Sequence, residues 1–331
     1  MNILVTGNLG YIGTVLVQKL LKQGYSVTGY DIGYYENCLV AKAKKNFKQI
    51  KKDLRNINKN DLNKIDCIIH LAGLSNDPLG EFDPSITNEI NYKATKKLAE
   101  LAKKNKVKRL IFISSQSIYG ISKSKKALTE NGRKNPITVY AKTKMMCENF
   151  LKTIGTNQFT VCFLRPSTVF GPSPRLRSDI VLNNLIAAAH LYNKIVIKSD
   201  GSPFRPVLHI EDLCSAIIAC CEAPKKLINK EAFNVGIKNG NYSIKELANK
   251  VKKYYPKSKI IFTKEHGKDS RSYVVNFNKI LTKLKKYYKP IWNLDTGIVE
   301  LKSFYKEIKL SEKDFTSSKT IRLLKLKQCL K

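Results

Sequence analysis

Between the apolar run Ile3-Leu4-Val5 and a helix-patterned stretch stand Thr6-Gly7-Asn8-Leu9-Gly10-Tyr11-Ile12-Gly13, a G-x-x-G-x-x-G turn. No other segment constrains the fold as tightly. Glycines let backbone approach a diphosphate closely, and the N-terminus of the following helix offers N–H groups and the positive end of its dipole. A glycine fingerprint alone is weak, but here a strand precedes it and a helix follows. Val15, Leu16, Leu20 and Leu21 carry helical spacing across Thr14 to Gln23, and Gly24 ends the helix. Ser26 to Tyr30 reads as a second strand ending at Asp31, 18 residues after Gly13. An acidic side chain there accepts hydrogen bonds from a ribose 2′-hydroxyl and repels a 2′-phosphate, which selects NAD over NADP. Asp53, in Asp53-Leu54-Arg55, is expected near the adenine, although a surface aspartate reads almost as well.

Strand and helix patterns keep alternating. Cys67 to Leu71, Arg109 to Ser114 and Thr160 to Leu164 read as buried strands; Ala94 to Lys104 and Tyr140 to Leu151 read as helices. This alternation implies right-handed crossovers and an α/β doubly wound parallel sheet of the Rossmann type, covered on both faces. After Pro166 the pattern changes to loop chemistry, Gly171-Pro172-Ser173-Pro174, then a helix over Asp179 to Leu191 and a short strand over Ile195 to Lys198. Val207 to Ile210, Glu211 to Ala223 and Phe233 to Val235 resemble sheet-domain material, and Tyr242 to Tyr255 an amphipathic helix. The expected organisation is an NAD-binding domain over 1–165 with a return near 207–236, and a smaller C-terminal α/β substrate domain built from 166–206 and 237–331.

The 331 residues are 43% apolar and 26% charged, ordinary for a globular chain with a sizeable core. The formal net charge is +34, yet only nine of the 60 basic residues are Arg, and Lys is spread along the whole chain. Nucleic-acid recognition favours Arg for bidentate contacts. A coding bias toward AT-rich codons explains Lys, Asn, Ile and Tyr together, so no nucleic-acid partner is expected. No apolar run reaches the roughly 18 residues of a spanning helix; Asn183, Asn184 and His190 interrupt the best candidate, Ile180 to Tyr192. With a strand at the N-terminus leaving no room for a signal peptide, the expectation is a cytoplasmic protein without membrane contact. The eight cysteines show no metal spacing and read as small buried hydrophobes in a reducing compartment. No metal is expected.

Tyr140-Ala-Lys-Thr-Lys144 places a phenol and an ammonium at i and i+4 on one helical face. An exposed ion on a helix is the ordinary explanation of such a lysine. The chemical one is that Lys144 lowers the Tyr140 pKa, so that a phenolate takes an alcohol proton. Ser115 follows a strand at the carboxyl edge of the sheet, where its hydroxyl can hold the same oxygen. Tyr-x-x-x-Lys is common by itself. After a dinucleotide fold and after Ser115 it becomes specific.

With these motifs in place the chain resembles the extended short-chain dehydrogenase/reductase family, in its nucleotide-sugar epimerase/dehydratase branch, from Thr6 to about Asn278. The further look-alike segments are His70-Leu71-Ala72-Gly73, Asn91-Tyr92, Ser114 to Gly120, Leu164-Arg165-Pro166, Val169 to Pro172 and Arg205 to Asp212. The resemblance implies NAD in the first domain and a nucleoside-diphosphate sugar in the second. It implies Ser115, Tyr140 and Lys144 as the catalytic trio. For the cofactor it implies Gly7, Gly10, Tyr11, Ile12, Gly13, Asp31, Asp53, Leu54, Leu71, Ala72, Gly73 and Asn91, with Tyr140 and Lys144. Asn183 and Arg205 are the implied substrate contacts, with Arg271 or Lys268 at the second diphosphate contact; Ser75, Gln116 and Thr168 are expected beside the sugar, and a homodimer through the helices around Ala94–Lys104 and Tyr140–Leu151 is implied too.

The chain also departs from the family. Gln116-Ser117 stand where 4,6-dehydratases carry an acidic pair, and without a carboxyl acid and base elimination has no proton carrier. Pro166-Ser167-Thr168 replace the Tyr-Phe-Asn of galactose epimerases. Arg-x-Gly-Asp survives only as His266-Gly267-Lys268-Asp269 with Arg271 nearby. Ser75-Asn76-Asp77, Arg175 and Arg177 lie on polar loops expected to face the sugar, the two arginines suiting a carboxylate or phosphate. The expected reaction is NAD-dependent epimerisation at C4 through a transient 4-keto sugar. The alternative is an NAD(P)-dependent reductase or dehydrogenase of a keto nucleotide sugar. A non-catalytic NAD-sensing or RNA-binding protein would be expected to lack Tyr140 or Lys144, and both are present. The Lys-rich tail from Lys319 reads as an amphipathic end helix or a frayed end.

Overall fold

The computed structural model describes residues 1–43, 46–121, 126–263 and 272–330. Its twelve strands are β1 (Asn2–Thr6), β2 (Ser26–Asp31), β3 (Lys48–Lys51), β4 (Cys67–His70), β5 (Arg109–Ile113), β6 (Thr160–Pro166), β7 (Thr168–Phe170), β8 (Lys194–Ile197), β9 (Phe204–His209), β10 (Glu231–Val235), β11 (Asn241–Ser243) and β12 (Lys259–Phe262). Seven form one sheet in the order β10-β6-β5-β4-β1-β2-β3, and every neighbouring pair is parallel. The order reverses between β1 and β4. That switch point leaves a crevice at the carboxyl ends of the strands, the ligand position of open α/β sheets.

All four β4 side chains are buried, and β1 and β5 each bury four of five. Both faces are therefore covered, as a parallel sheet requires. The helices Tyr11–Lys22 and Ile210–Glu222 pack on one face, around Leu16, Leu20, Leu213 and Ile217. The helices Ala94–Lys104 and Val139–Ile154 cover the other, around Leu98, Ala102, Cys147 and Leu151. A third core of Leu182, Ile186, Leu247, Val251 and Ile298 joins the helices Val181–Tyr192, Ile244–Tyr254 and Leu294–Glu307 in a second unit.

The alternating strands and helices fall where the pattern places them, with shifted ends. The first helix begins at Tyr11 rather than Thr14, because the dinucleotide turn itself supplies its first turn. β9, expected with the main sheet, instead pairs parallel with β7 and antiparallel with β11 in a three-stranded sheet. Return to the main sheet comes only with the helix Ile210–Glu222 and β10. The edge strand β3 is mostly exposed and lacks the apolar signature that marks the inner strands. The C-terminal segment is folded: the helix Arg322–Cys329 buries Leu326 against Leu74 and Leu79. All eight cysteines are free thiols, seven of them buried.

Candidate active site

A cavity of about 460 Å³ opens at the switch point. Gly7, at φ +73°, starts its floor; a Cβ there would stand 2.6 Å from the backbone nitrogen of Ala72, so the turn closes on β4 only with glycine. A Cβ on Gly13 would meet the Gly7 carbonyl oxygen at 2.3 Å, which fixes how closely the helix packs under the turn. Gly10 caps that helix with no side-chain hydrogen bond. The first-turn N–H groups are thus left for a ligand. Gly10, Tyr11, Ile12, Asp31, Asp53, Leu54, Leu71, Ala72 and Gly73 line the same cavity. These residues fit a dinucleotide: a bare glycine cradle for the diphosphate, and a carboxylate at the end of β2.

Asp31 accepts hydrogen bonds from the backbone N–H of Gly33 at 2.8 Å and of Leu9 at 3.1 Å. Burial pushes its carboxyl above the usual range, and those two donors pull it partly back. Asp53 is braced by Arg55, with Arg55 Nη2 at 2.6 Å from Oδ2. Burial raises its pKa, but the Arg55 hydrogen bonds outweigh that and hold the carboxyl below its ordinary value.

Tyr140 and Lys144 stand in the first turns of Val139–Ile154, a helix capped by Thr138, whose hydroxyl accepts from Ala141 N–H. Thr138 in turn donates to Asp77. Gly80 permits this approach, because a Cβ there would lie 2.8 Å from Tyr140 Cβ. The Ser115 hydroxyl stands beside the Tyr140 phenol and opposes the burial-driven rise of its pKa. Lys144 Nζ donates to the Ile113 carbonyl at 2.7 Å and lies 5.8 Å from the Tyr140 ring centroid. Tyr140, Lys144 and Ser115 all line the cavity that contains the glycine turn.

The expected depression of the Tyr140 pKa is absent. Burial raises it above 10.0; Ser115 and Arg177 oppose that, and Lys144 is not among the groups that lower it. The ammonium is tied to a strand-end carbonyl rather than to the phenol oxygen. Burial also lowers the Lys144 pKa to about 8.

Three expected contacts lie behind the wall. Asn91 is buried, accepting from Leu74 N–H at 2.8 Å and donating to the Leu74 carbonyl at 3.1 Å, so it pins the turn after Gly73 instead of facing the cavity. It sits in a π-helical turn, Asn88–Lys93, that feeds into Ala94–Lys104. Gln116 donates to the Arg165 carbonyl at 3.0 Å, turned into the sheet by the backbone of β6. Asn183 donates to the Arg177 carbonyl and to Tyr11 Oη and accepts from Gly171 N–H, bracing the loop between them. Ser75, Thr168 and Arg205 do line the cavity. Arg271, and with it His266 to Asp269, falls outside the described residues.

Arg175, expected toward the sugar, staples its loop to the first helix through Thr14 Oγ1 at 2.9 Å. Arg177 does reach the cavity. It forks onto Asp179 at 2.8 and 2.9 Å and donates to Ser75 Oγ at 3.2 Å. Tyr35, Tyr273 and Arg322 also line the wall, and none was expected from the sequence. A signal for Arg322 existed: it is the one arginine of a Lys-rich tail.

Residues 3–236 match the model of the NAD dependent epimerase/dehydratase family. The chain belongs to that family. A UDP-glucose 4-epimerase of Bacillus subtilis (strain 168) is 30% identical over 75% of this chain and 80% of its own length. A second, uncharacterized UDP-glucose epimerase of that organism is 31% identical over 71% and 77%. The UDP-glucuronic acid 4-epimerase of Bacillus cereus, solved with UDP-glucuronic acid and NAD, superposes with a TM-score of 0.78 at 27% identity, covering 93% of this chain and all of its own. Within this epimerase/dehydratase family the glycine turn and the Ser115–Tyr140–Lys144 group thus occur in a chain that is NAD-dependent by membership.

Proposed function

We propose that the protein is an NAD-dependent epimerase of a nucleoside-diphosphate sugar, acting at C4 through a 4-keto intermediate. The observation that carries this is the convergence of Ser115, Tyr140 and Lys144 on the wall of the cavity that also contains the glycine turn. The C4 epimerases among its relatives support the choice of carbon. When bound, NAD supplies the hydride acceptor and later the donor. Ser115 orients the sugar hydroxyl, and Tyr140 takes its proton and returns it once the keto sugar has presented its other face. Lys144 holds positive charge beside the phenol. Gly7, Gly10, Tyr11, Ile12 and Gly13 cradle the cofactor diphosphate, Asp31 its adenosine ribose, and Leu71, Ala72 and Gly73 the middle of the dinucleotide. Ser75, Thr168 and Arg205 face the sugar nucleotide.

Dehydration is disfavoured by Gln116, which faces the sheet with an amide rather than the sugar with a carboxyl. The sheet unit, with its return through the helix Ile210–Glu222 and β10, would hold the dinucleotide, and the second unit the sugar. A homodimer would form across the helices Ala94–Lys104 and Val139–Ile154, where Met146 is exposed. Free buried thiols favour the cytoplasm, and no described helix is long and apolar enough to cross a membrane.

The test is to incubate purified protein with UDP-, dTDP-, GDP- and CDP-sugars without added NAD(P)H and to analyse the products by NMR. A C4-inverted sugar is expected. Stoichiometric loss of nicotinamide absorbance with a keto sugar, and no inversion, would replace this reading with a reductase.

A further inference from the structure

The last fourteen described residues lie along the dinucleotide cleft. Ser318 offers its carbonyl to Cys38 Sγ, Thr320 is fully buried with its hydroxyl 2.8 Å from Ser178 Oγ, and Cys329 Sγ points to the Tyr34 carbonyl. Leu323, Leu326 and Leu330 pack on Leu74, Leu79, Ile86 and Ile90. The segment therefore touches the loop after β2, the loop after β7 and the turn after β4, three sides of one cavity.

It also brings a charge. Arg322 is 2% exposed and lines the cavity. Its guanidinium donates to the carbonyls of Lys319, Arg175 and Leu176 at 3.0, 2.7 and 3.2 Å and lies 5.0 Å from the Tyr35 ring centroid. Among the described residues no carboxylate forms an ion pair with it. The nearby Asp179 is already engaged by Arg177. The buried Arg322 guanidinium is thus met only by backbone carbonyls and the Tyr35 ring among the described residues. Burial and the charge of Arg177 lower the Arg322 pKa to about 10.

We infer that the C-terminal segment is part of the dinucleotide site, with Arg322 and Arg177 gripping the cofactor diphosphate from the side opposite the glycine turn. This rests on the NAD reading above. A sugar-nucleotide diphosphate has the same chemistry, but Arg322 shares its wall with Tyr35 and the loop after β2, the adenosine side marked by Asp31. A segment clasped over the cleft also suits a cofactor that ends each turnover unchanged and has no need to leave.

The experiment compares the full chain with Arg322→Met and Arg322→Lys by calorimetric titration of NAD-stripped protein. Probes are NAD, ADP, adenosine and UDP. Losing a charged hydrogen-bond donor should weaken NAD and ADP by about 10- to 100-fold in Arg322→Met, with adenosine and UDP within about twofold. Arg322→Lys should recover most of the loss. Thermal unfolding with and without NAD separates a structural role: the proposal requires the NAD-induced shift in Tm to shrink, whereas a mere strut would lower both values equally. Unchanged NAD affinity in Arg322→Met, or weakening of UDP instead, overturns the proposal. Failure of the unaltered chain to bind NAD overturns the cofactor reading itself.

Discussion

Lys144 Nζ sits 2.7 Å from the Ile113 carbonyl oxygen and 4.7 Å from the Phe112 ring centroid. The carbonyl that ends β5 thereby fixes the ammonium one helical turn below Tyr140, with Ser115 two residues further along the same strand end. The phenol supplies proton transfer; the strand end holds the ammonium in position. Burial raises the Tyr140 pKa, so the phenol keeps its proton at neutral pH in the cofactor-free protein.

Tyr140→Phe removes the transferable proton and little volume. It should lower kcat by about 10²- to 10⁴-fold, the usual range for a positioned acid–base group. Copurified NAD and the unfolding midpoint should stay close to the parent values. Steady-state assay of sugar inversion, beside absorbance of released cofactor, checks both halves.

Ser115→Ala should act on the same step more mildly. One hydrogen bond to a charged or developing-charge oxygen is worth about 1.5–3 kcal/mol, or roughly 10- to 100-fold in kcat. KM for the sugar nucleotide should change by less than about threefold, because the diphosphate carries most of ground-state binding. A variant that loses KM and keeps kcat would assign Ser115 to binding alone.

Lys144→Met should stabilise the NAD-free protein while abolishing turnover. A lysine with pKa about 8 in the fold and 10.5 unfolded binds fewer protons folded than unfolded between those values. Stability therefore rises with pH across that window, and below it the full cost of the buried ammonium is felt. Methionine should add about 1–3 kcal/mol at pH 7, after the lost Ile113 hydrogen bond is discounted. The advantage should fade above pH 10.5, once the parent lysine is neutral in both states. Urea midpoints at several pH values read this directly.

The glycine turn, the parallel sheet and the Tyr140–Lys144 pair were legible because each rests on local rules: steric room at Gly7, apolar runs in β4 and β5, helical spacing of four. Asn91, Gln116 and Asn183 were expected at the site from their places in family-like motifs, and a motif fixes a position in the chain without saying which way its side chain faces. All three satisfy buried backbone groups, at Leu74, Arg165 and Gly171, needs that arise only when distant loops meet. β9 was misassigned for a related reason: its buried residues suit either sheet, and β7 and β11 decided the pairing. Arg322 is 145 residues from Arg177 in sequence, so no periodicity could join them.

The cofactor preference offers the last test. Asp31 Oδ1 and Oδ2 are held by Gly33 N–H and Leu9 N–H, so the carboxylate is fixed at the mouth of the adenosine side. A 2′-phosphate would bring like charge against it with little solvent between, whereas a 2′-hydroxyl can donate to it. Asp31→Asn should bring the ratio of NADP to NAD dissociation constants down by about 10- to 100-fold, mainly by relieving the repulsion. Because burial raises the Asp31 pKa, acidification should mimic the variant: discrimination falls as pH drops through the raised value, where the carboxyl becomes neutral and the repulsion vanishes. Titrating both dinucleotides at neutral and acidic pH separates the outcomes, and a pH-independent ratio in the parent protein would remove Asp31 from the selection.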